Sequence, residues 1–197
     1  YSAMKISDKE LSVKTPYEPE FKLRVVNTES HNISNILFSI ALASEIGARS
    51  EHILSAMTDY DGVEGRSKIY KGINNSRIID SSYNANPQSF KASINDLLSC
   101  NGKRWIVMGQ MGELGKKSEE YHVNLALYAA KNHIDKLFII TEHNQAVIGA
   151  FGDNAHAFSS TSDLIDFIKP LVKNDTNILV KASRFMHFET IVDDLKL

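Results

Sequence analysis

Hydrophobic and polar positions follow three patterns along the chain, and each pattern predicts a different kind of structure. Over residues 1–27, apolar and polar residues roughly alternate between polar breaks, which predicts short strands. From 28 to 48 the apolar positions recur at helical spacing, with Ser30 as a candidate N-cap and Gly47 near the end. A strong helix is therefore expected there, and a second helix, capped by Ser50, is predicted directly after it.

The third pattern, from about residue 66 onward, alternates short apolar runs with stretches of helical spacing. The apolar runs lack polar alternation, as in parallel strands that are covered on both faces. They occur in "SRIID", "KRWIVMG", "DKLFIIT", "HAFS" and "NILVKAS", and helices are predicted over 87–99, 116–133, 144–150, 161–173 and 185–195. Because repeated strand–helix units imply right-handed crossovers, the predicted fold class is α/β, with a Rossmann-like, doubly wound, mostly parallel sheet.

A glycine-rich turn, "DGVEGR" at residues 61–66, lies between the second and third patterns and has no periodicity of its own. Such a turn is a candidate domain boundary, so we expect one domain over 1–62 and another over 63–197. The first residue is tyrosine rather than methionine, and we therefore expect this chain to be a piece of a longer protein.

Composition narrows the classes of function. The net charge of −2 gives no basic field, so no nucleic-acid partner is expected. No apolar run approaches the roughly 18 residues of a membrane span, and the first residues lack the features of a signal peptide. The single cysteine, Cys100, cannot form an internal disulfide. Together these features predict a cytoplasmic protein.

Three polar loops follow predicted strands, and each contains glycine or serine. They are "DSSYNANP" at 80–87, "GQMGELG" at 109–115 and "KASR" at 181–184. Ligands of doubly wound sheets bind outside the carboxyl ends of the strands, so these loops are expected to share one ligand-binding edge. The alternative is that they are ordinary polar turns, because asparagine, serine and proline also suit turns and helix starts.

Five motifs in a fixed order give the chain a family resemblance. "HNISN", "EGR", "DSSYNANPQSFKASI", "VMGQMGELG" and "LVKASRFMHFE" resemble the Mur ligases of bacterial cell-wall synthesis, from about residue 29 to the last residue. The resemblance is strongest to the members that add D-alanyl-D-alanine to UDP-N-acetylmuramoyl-tripeptide, which carry D-D-S-Y-N-A-N-P, G-D-M-G-E-L-G and V-K-G-S-R. The chain departs from this pattern at Glu29, Ser81, Gln110 and Ala182. A positive φ at Ala182 would strain its backbone.

This resemblance implies a fold, a reaction and a missing part. It implies that 63–197 form the Rossmann-like C-terminal domain and that 1–62 are the tail of the central ATPase domain. In the family reaction, ATP phosphorylates the tripeptide carboxylate, and the amine of D-alanyl-D-alanine attacks the acyl phosphate. The sequence has no G-K-T loop, so the phosphate cradle and the Mg²⁺ ligands are expected outside it. The chain alone is therefore expected to be inactive, without catalytic or metal-binding residues, and to be a monomer.

The resemblance also implies which residues bind ATP. Asn32 and Asn35 match the family's H-N-x-x-N, in which Asn35 contacts adenine and Asn32 supports it; the alternative is simple capping of the helix. Arg66 of "EGR" would bind nucleotide phosphate or ribose through its guanidinium fork, unless it is only a surface arginine. Asp80, at the end of a strand, would accept hydrogen bonds from ribose hydroxyls.

The remaining candidates are expected to bind substrate. Tyr83, Asn84 and Asn86 would shape the first loop and reach toward nucleotide or dipeptide. Lys181, Ser183 and Arg184 would bind a carboxylate or phosphate beside a helix N-terminus. Their alternative is a serine-capped helix flanked by solvated charges.

Other classes of function remain open at this point. The chain could belong to another ligase of this type, such as the diaminopimelate-adding enzyme or a folylpolyglutamate synthase, although "YNANP" and "MGELG" argue against both. It could also be a non-catalytic nucleotide-binding module or a purely structural part of a divided protein. The absence of a glycine-rich dinucleotide fingerprint argues against a dehydrogenase.

Overall fold

The computed structural model describes residues 1–26, 28 and 30–197, excluding the side chains of Ser30 and His31. The departure at Glu29, the capping side chain of Ser30 and the side chain of His31 thus lie outside the described part. The chain divides into two compact units, Tyr1–Gly62 and Val63–Leu197, which are considered separately below.

The first unit combines a small antiparallel sheet with helices. Its described elements are β1 (Ser2–Ser7), β2 (Glu10–Lys14), β3 (Phe21–Arg24), α1 (Ser30–Glu45) and α2 (Ser50–Thr58). The strands pair in the order β1-β2-β3. Leu11 and Val13, two positions apart on β2, pack with Leu23 of β3 against Ile40 of α1 and Ile53 of α2. The predicted strands and both predicted helices are therefore present.

The second unit, which is described throughout, contains a six-stranded sheet in the order β4-β5-β9-β6-β7-β8. Its strands are β4 (Lys68–Lys71), β5 (Arg77–Ser81), β6 (Lys103–Gly109), β7 (Lys136–Ile140), β8 (Ala155–Ala157) and β9 (Thr176–Lys181). β4 is antiparallel to β5, and all other pairs are parallel. The prediction of a mostly parallel α/β sheet is confirmed, whereas β4 was missed.

Helices cover both faces of this sheet. They are α3 (Pro87–Leu98), α4 (Ser118–Lys131), α5 (Asn144–Phe151), α6 (Thr161–Ile168) and α7 (Glu189–Leu195). Along β6, Ile106 and Met108 pack in the core under α3, α4 and α5. The alternate residues Trp105 and Val107 pack in the core under α6 and α7. This double burial is the physical reason for the continuous apolar runs in the sequence.

Two predicted helices have different bounds in the structure. The helix predicted over 161–173 ends at Ile168 and continues only as a 3-10 turn, Lys169–Leu171, that contains Pro170. The helix predicted over 185–195 begins only at Glu189. Before it lie a 3-10 turn, Arg184–Met186, and His187 with a left-handed φ of 51°, which interrupts a helix. In the described ranges, no helix is both long and apolar enough to cross a membrane.

Candidate functional site

The carboxyl ends of three strands lie side by side at one edge of the second unit's sheet. In the strand register, Ser81 of β5 pairs with Lys181 of β9, and Lys181 pairs with Met108 of β6. The three polar loops therefore leave the sheet at the same level. This confirms the predicted convergence of the loops after β5, β6 and β9.

Ser183 connects the three loops directly. Its backbone N–H donates to the carbonyl of Gln110 at 3.1 Å, and its Oγ accepts from the N–H of Gly112 at 2.8 Å. The same Oγ donates to the carbonyl of Ala85 at 3.3 Å. Because Ser183 is buried and engaged on both sides, its visible task is to hold the loops together; its predicted substrate contact stays a prediction.

Asp80, at the end of β5, fixes the start of the first loop through hydrogen bonds. Its Oδ2 accepts from the N–H of Gly65 at 3.0 Å. Its Oδ1 accepts from the N–H of Ser82 at 3.0 Å and from the hydroxyl of Ser82 at 2.6 Å. The residue is only 4% exposed. A carboxylate has about four acceptor positions, so these bonds use most of its capacity. The predicted ribose contact would have to use what remains.

Gly65 brings the "EGR" turn against the first loop. Its φ of +73° lies in the left-handed region, and an added Cβ would come within 2.8 Å of the Cβ of Tyr83. Its carbonyl accepts from the N–H of Tyr83 at 3.0 Å. Glycine is therefore required here by both conformation and space. The next residue, Arg66, is thereby placed with its guanidinium carbon 4.6 Å from the centroid of the Tyr83 ring.

Two guanidinium groups share this exposed tyrosine. Arg184 lies 5.9 Å from the Tyr83 centroid, and Tyr83 is 43% exposed. Cation–π attraction explains why two like charges approach the same ring. Arg66, Tyr83 and Arg184, named here the Arg–Tyr–Arg cluster, form an exposed cationic surface beside the loops. Such a surface suits phosphate or carboxylate, the anions that guanidinium groups bind in a bidentate manner.

Glu189 neutralises part of this charge. Its Oε1 lies 3.3 Å from Nη1 of Arg184 and 3.2 Å from Nδ1 of His187. Burial tends to raise the pKa of Glu189, but a backbone hydrogen bond, the hydrogen bond from His187 and the charges of Arg184 and His187 lower it overall. The carboxylate is thus ionised near neutral pH, and Arg66 is less compensated than Arg184.

The other candidates of this edge shape the first loop. Nζ of Lys181 donates to the carbonyl of Asn84 at 3.0 Å, and Oδ1 of Asn84 accepts from the N–H of Ala85 at 2.8 Å. Oδ1 of Asn86 accepts from the N–H of Ser89 at 2.8 Å and so caps α3, which begins at Pro87. These contacts fit the turn-and-cap alternative, and direct ligand contacts by these residues remain predictions.

We expect Asn86→Ala to lower the free energy of unfolding by about 1 kcal/mol, because the N–H of Ser89 loses its acceptor. Asn86→Asp keeps a side-chain acceptor and should stay close to the parent protein. Urea unfolding followed by the fluorescence of Trp105, the only tryptophan, measures both changes. Equal losses in the two variants would rule out the cap as the cause.

Acidification should destabilise the second unit. Burial lowers the pKa of His122, and burial, with the charge of Lys136, lowers the pKa of His156. The unfolded chain therefore binds more protons than the folded chain just below an ordinary histidine pKa of about 6.5. Stability should be complete above that pH and decline as pH falls toward the folded pKa values. Urea unfolding at pH 7 and pH 5 tests this, and His156→Phe should weaken the dependence.

Asn32 and Asn35 lie in the first unit, on the first turns of α1. They are three residues apart and so share one side of the helix; Asn35 is exposed and Asn32 is half-buried. This arrangement is compatible with either an adenine contact or a role at the helix start. Their adenine contact remains a prediction.

The departures from the family pattern have local explanations. Oε1 of Gln110 accepts from the N–H of Glu142 at 3.1 Å, which is a role that an acidic side chain could also fill. Oγ of Ser81 lies 3.3 Å from Oγ of Ser67 inside the protein. Ala182 has no positive φ in the described chain, and its methyl group is accommodated because the residue opposite is Gly109. A Cβ on Gly109 would lie 2.5 Å from that of Ala182.

Two residues of this edge were missed in the sequence. His122 accepts a hydrogen bond from the N–H of Met111 in the loop after β6, and Nε2 of His143 lies 3.0 Å from Oγ of Ser118 at the start of α4. The i, i+4 spacing of Ser118 and His122 was the available signal, but a lone helical histidine is not distinctive. Within the described ranges, no three histidine, cysteine or acidic residues are grouped in a way that could hold a metal ion.

Comparison with known proteins places this edge in a family context. Residues 65–184 match the family model of the "Mur ligase, glutamate ligase domain". The UDP-N-acetylmuramoyl-tripeptide–D-alanyl-D-alanine ligase of Escherichia coli strain K12 is 33% identical over 168 residues, which cover 84% of this chain and 37% of that protein. The chain therefore spans less than half the length of this relative.

Solved structures agree with the fold. A crystal structure of MurF from Acinetobacter baumannii superposes with a TM-score of 0.86 and 28% identity, covering 98% of this chain and 44% of that one. MurF ligase from Thermotoga maritima, crystallised in complex with ADP, has a TM-score of 0.78 with 21% identity over 98% of this chain and 44% of its own. At that identity, the second comparison supports the fold alone.

Proposed function

Because this chain belongs to the Mur ligase family through the domain matched at residues 65–184, we propose that it is the C-terminal part of an ATP-dependent ligase. The proposed enzyme attaches D-alanyl-D-alanine to UDP-N-acetylmuramoyl-tripeptide in peptidoglycan precursor synthesis. The observation that carries this proposal is the convergence of three polar loops and the Arg–Tyr–Arg cluster at the carboxyl edge of the sheet. The named relative from Escherichia coli supports the choice of substrates.

The proposed reaction activates an unreactive carboxylate. ATP phosphorylates the terminal carboxylate of the tripeptide, the amine of D-alanyl-D-alanine attacks the acyl phosphate, and phosphate leaves. Because the reactants carry concentrated negative charge, this chain would contribute screening and alignment. Arg66 and Arg184 are exposed at the cluster and would bind the anionic groups.

The buried members of the edge would act by holding the loops in place. Asp80, Lys181 and Ser183 are buried, and each forms a hydrogen bond with the backbone of a neighbouring loop. Tyr83, Asn84 and Asn86 are exposed and would line the ligand-binding site. In the first unit, Asn35 would contact adenine and Asn32 would support that contact. We propose a cytoplasmic, monomeric enzyme whose Mg²⁺ and phosphate cradle are held by residues outside this chain.

The test uses the complete reading frame that encodes this chain. The purified product should form the UDP-linked pentapeptide, with release of ADP and phosphate, only when ATP, Mg²⁺, UDP-N-acetylmuramoyl-tripeptide and D-alanyl-D-alanine are all present. Loss of a charge-assisted hydrogen bond costs about 1.5–3 kcal/mol, so Arg66→Ala should raise the KM for ATP roughly 10- to 150-fold.

Arg77→Ala is the matched control. Arg77 is also an exposed arginine, but it begins β5 and therefore lies at the opposite, amino edge of the sheet. Its KM for ATP should stay within about twofold of the parent enzyme, a difference of about 0.4 kcal/mol. Absence of the pentapeptide with all four components present, or equal effects of the two substitutions, would contradict the proposal.

A further inference from the structure

We propose that His122 is a positioning residue that, together with His143, holds the loop of residues 110–114 in place and releases it when the His122 imidazole is protonated. His122, His143 and Ser118 are named here the imidazole clasp. The clasp contains none of the residues of the Arg–Tyr–Arg cluster. Its hydrogen bonds can be examined without any ligand.

The hydrogen bonds of His122 determine its tautomer. Nε2 accepts from the backbone N–H of Met111 at 3.0 Å, so this nitrogen must carry a lone pair. Nδ1 lies 2.7 Å from the carbonyl oxygen of Ser118, so this nitrogen must carry the hydrogen. Only the neutral imidazole protonated on Nδ1 satisfies both contacts. The ring is fully buried, so water cannot replace either partner.

A second contact holds the side chain of the preceding residue. Nε2 of Gln110 donates to Oγ of Ser118 at 3.1 Å, and the same Oγ lies 3.0 Å from Nε2 of His143. The loop after β6 is therefore fixed twice to α4, once through the backbone of Met111 and once through Gln110. Since Gly112 donates to Ser183, the clasp also supports the junction of all three loops.

Protonation would oppose the clasp in two ways. A hydrogen on Nε2 of His122 would face the N–H of Met111, so the hydrogen bond would be lost. The His122 and His143 rings are 5.5 Å apart, and the electrostatic interaction with His143 further disfavours a positive charge on His122. The acidic groups facing them are Glu119 of α4, whose Oε2 is 3.6 Å from Nδ1 of His143, and Glu142 before His143. Burial, opposed in part by Ser118 and Glu142, lowers the pKa of His122 and keeps the clasp closed at neutral pH.

The consequence for ligand binding rests on the proposed function, whereas the clasp itself does not. If the loops bind nucleotide or substrate, an open clasp would loosen one of the three. The experiment therefore reads the loop alone, so failure of the clasp would leave the ligase proposal standing. Conversely, loss of the ligase proposal would leave the clasp intact.

Amide hydrogen exchange of the 197-residue chain, followed by NMR at pH 7.5 without ligand, tests the clasp. His122→Phe keeps the ring volume but removes both hydrogen bonds, and the Met111 amide should exchange at least about tenfold faster, which corresponds to about 1.4 kcal/mol. His122→Gln can again present an acceptor to Met111 and should restore much of the protection. His156→Phe, the same change at another histidine, should leave Met111 unchanged.

Two outcomes would overturn the proposal. One is equal protection of Met111 in His122→Phe and His156→Phe, with the amide of Val107 in β6 confirming that the sheet is intact. The other comes from the parent chain and does not depend on any variant folding. Imidazole ¹⁵N spectra that show the hydrogen of His122 on Nε2 at pH 7.5 would exclude the geometry on which the clasp depends. Spectra that show the hydrogen on Nδ1 would support the proposal. A shift of the Met111 amide signal on acidification would support it as well.

Discussion

Replacing Asp80 with alanine is expected to lower the free energy of unfolding of the second unit by about 2–6 kcal/mol. The substitution leaves the N–H groups of Gly65 and Ser82 without their acceptor in a buried setting. Each such stranded donor costs about 1–3 kcal/mol. Urea unfolding followed by the fluorescence of Trp105 measures the loss, because Trp105 is buried in the core of the same unit.

Asp80→Asn separates the structural role from the predicted ribose contact. The asparagine keeps one acceptor oxygen, so its loss of stability should be intermediate. If Asp80 also binds ribose, both variants of the complete enzyme should show a raised KM for ATP, with the KM for D-alanyl-D-alanine less affected. A stable Asp80→Ala variant with an unchanged midpoint of unfolding would contradict the buried network.

Phe188→Ala should cost about 3–5 kcal/mol, the usual range for truncation of a fully buried phenylalanine. Phe188 lies in the core beneath α6 and α7, and its ring packs against Gly109 at the end of β6. The truncation would leave a cavity directly below the loop junction. The same fluorescence-detected urea unfolding measures the effect.

Phe185→Ala is the matched control for this truncation. The same side chain is removed three residues earlier, but Phe185 is 58% exposed. Its free energy of unfolding should change by no more than about 0.5 kcal/mol. Equal losses at the two positions would show that burial of Phe188 is not what stabilises this end of the sheet.

The sequence was sufficient for most of the architecture because burial on both faces leaves a clear signal. The apolar runs of β5, β6, β7 and β9 identify parallel strands, and helical spacing identifies the helices between them. β4 was missed since "KIYK" is only four residues long, has a lysine at each end and lies at a half-exposed edge of the sheet. The late start of α7 was missed because the left-handed φ of His187 depends on its surroundings.

The site was predictable to the level of loops but not of individual roles. The carboxyl-edge rule brought "DSSYNANP", "GQMGELG" and "KASR" together correctly. Asp80 and Ser183 hold the loops by accepting hydrogen bonds from the backbone N–H groups of Gly65 and Gly112. Both glycines lack a side chain and are distant in sequence from the residues that accept from them. Every residue except proline has a backbone N–H, so residue types do not show which N–H a side chain binds. A sequence motif therefore cannot distinguish a residue that contacts a ligand from one that holds a loop in place.

The position of β9 has a consequence for synthesis of the protein on the ribosome. β9 is translated after the other five strands of this sheet, yet it lies between β5 and β6 in the middle of the sheet. Until residues 176–181 emerge, β5 and β6 each lack the strand that pairs with them on this side in the folded protein. The sheet of the nascent domain is therefore incomplete until β9 has been translated. During that time its exposed strand edges favour association with chaperones or with other nascent chains.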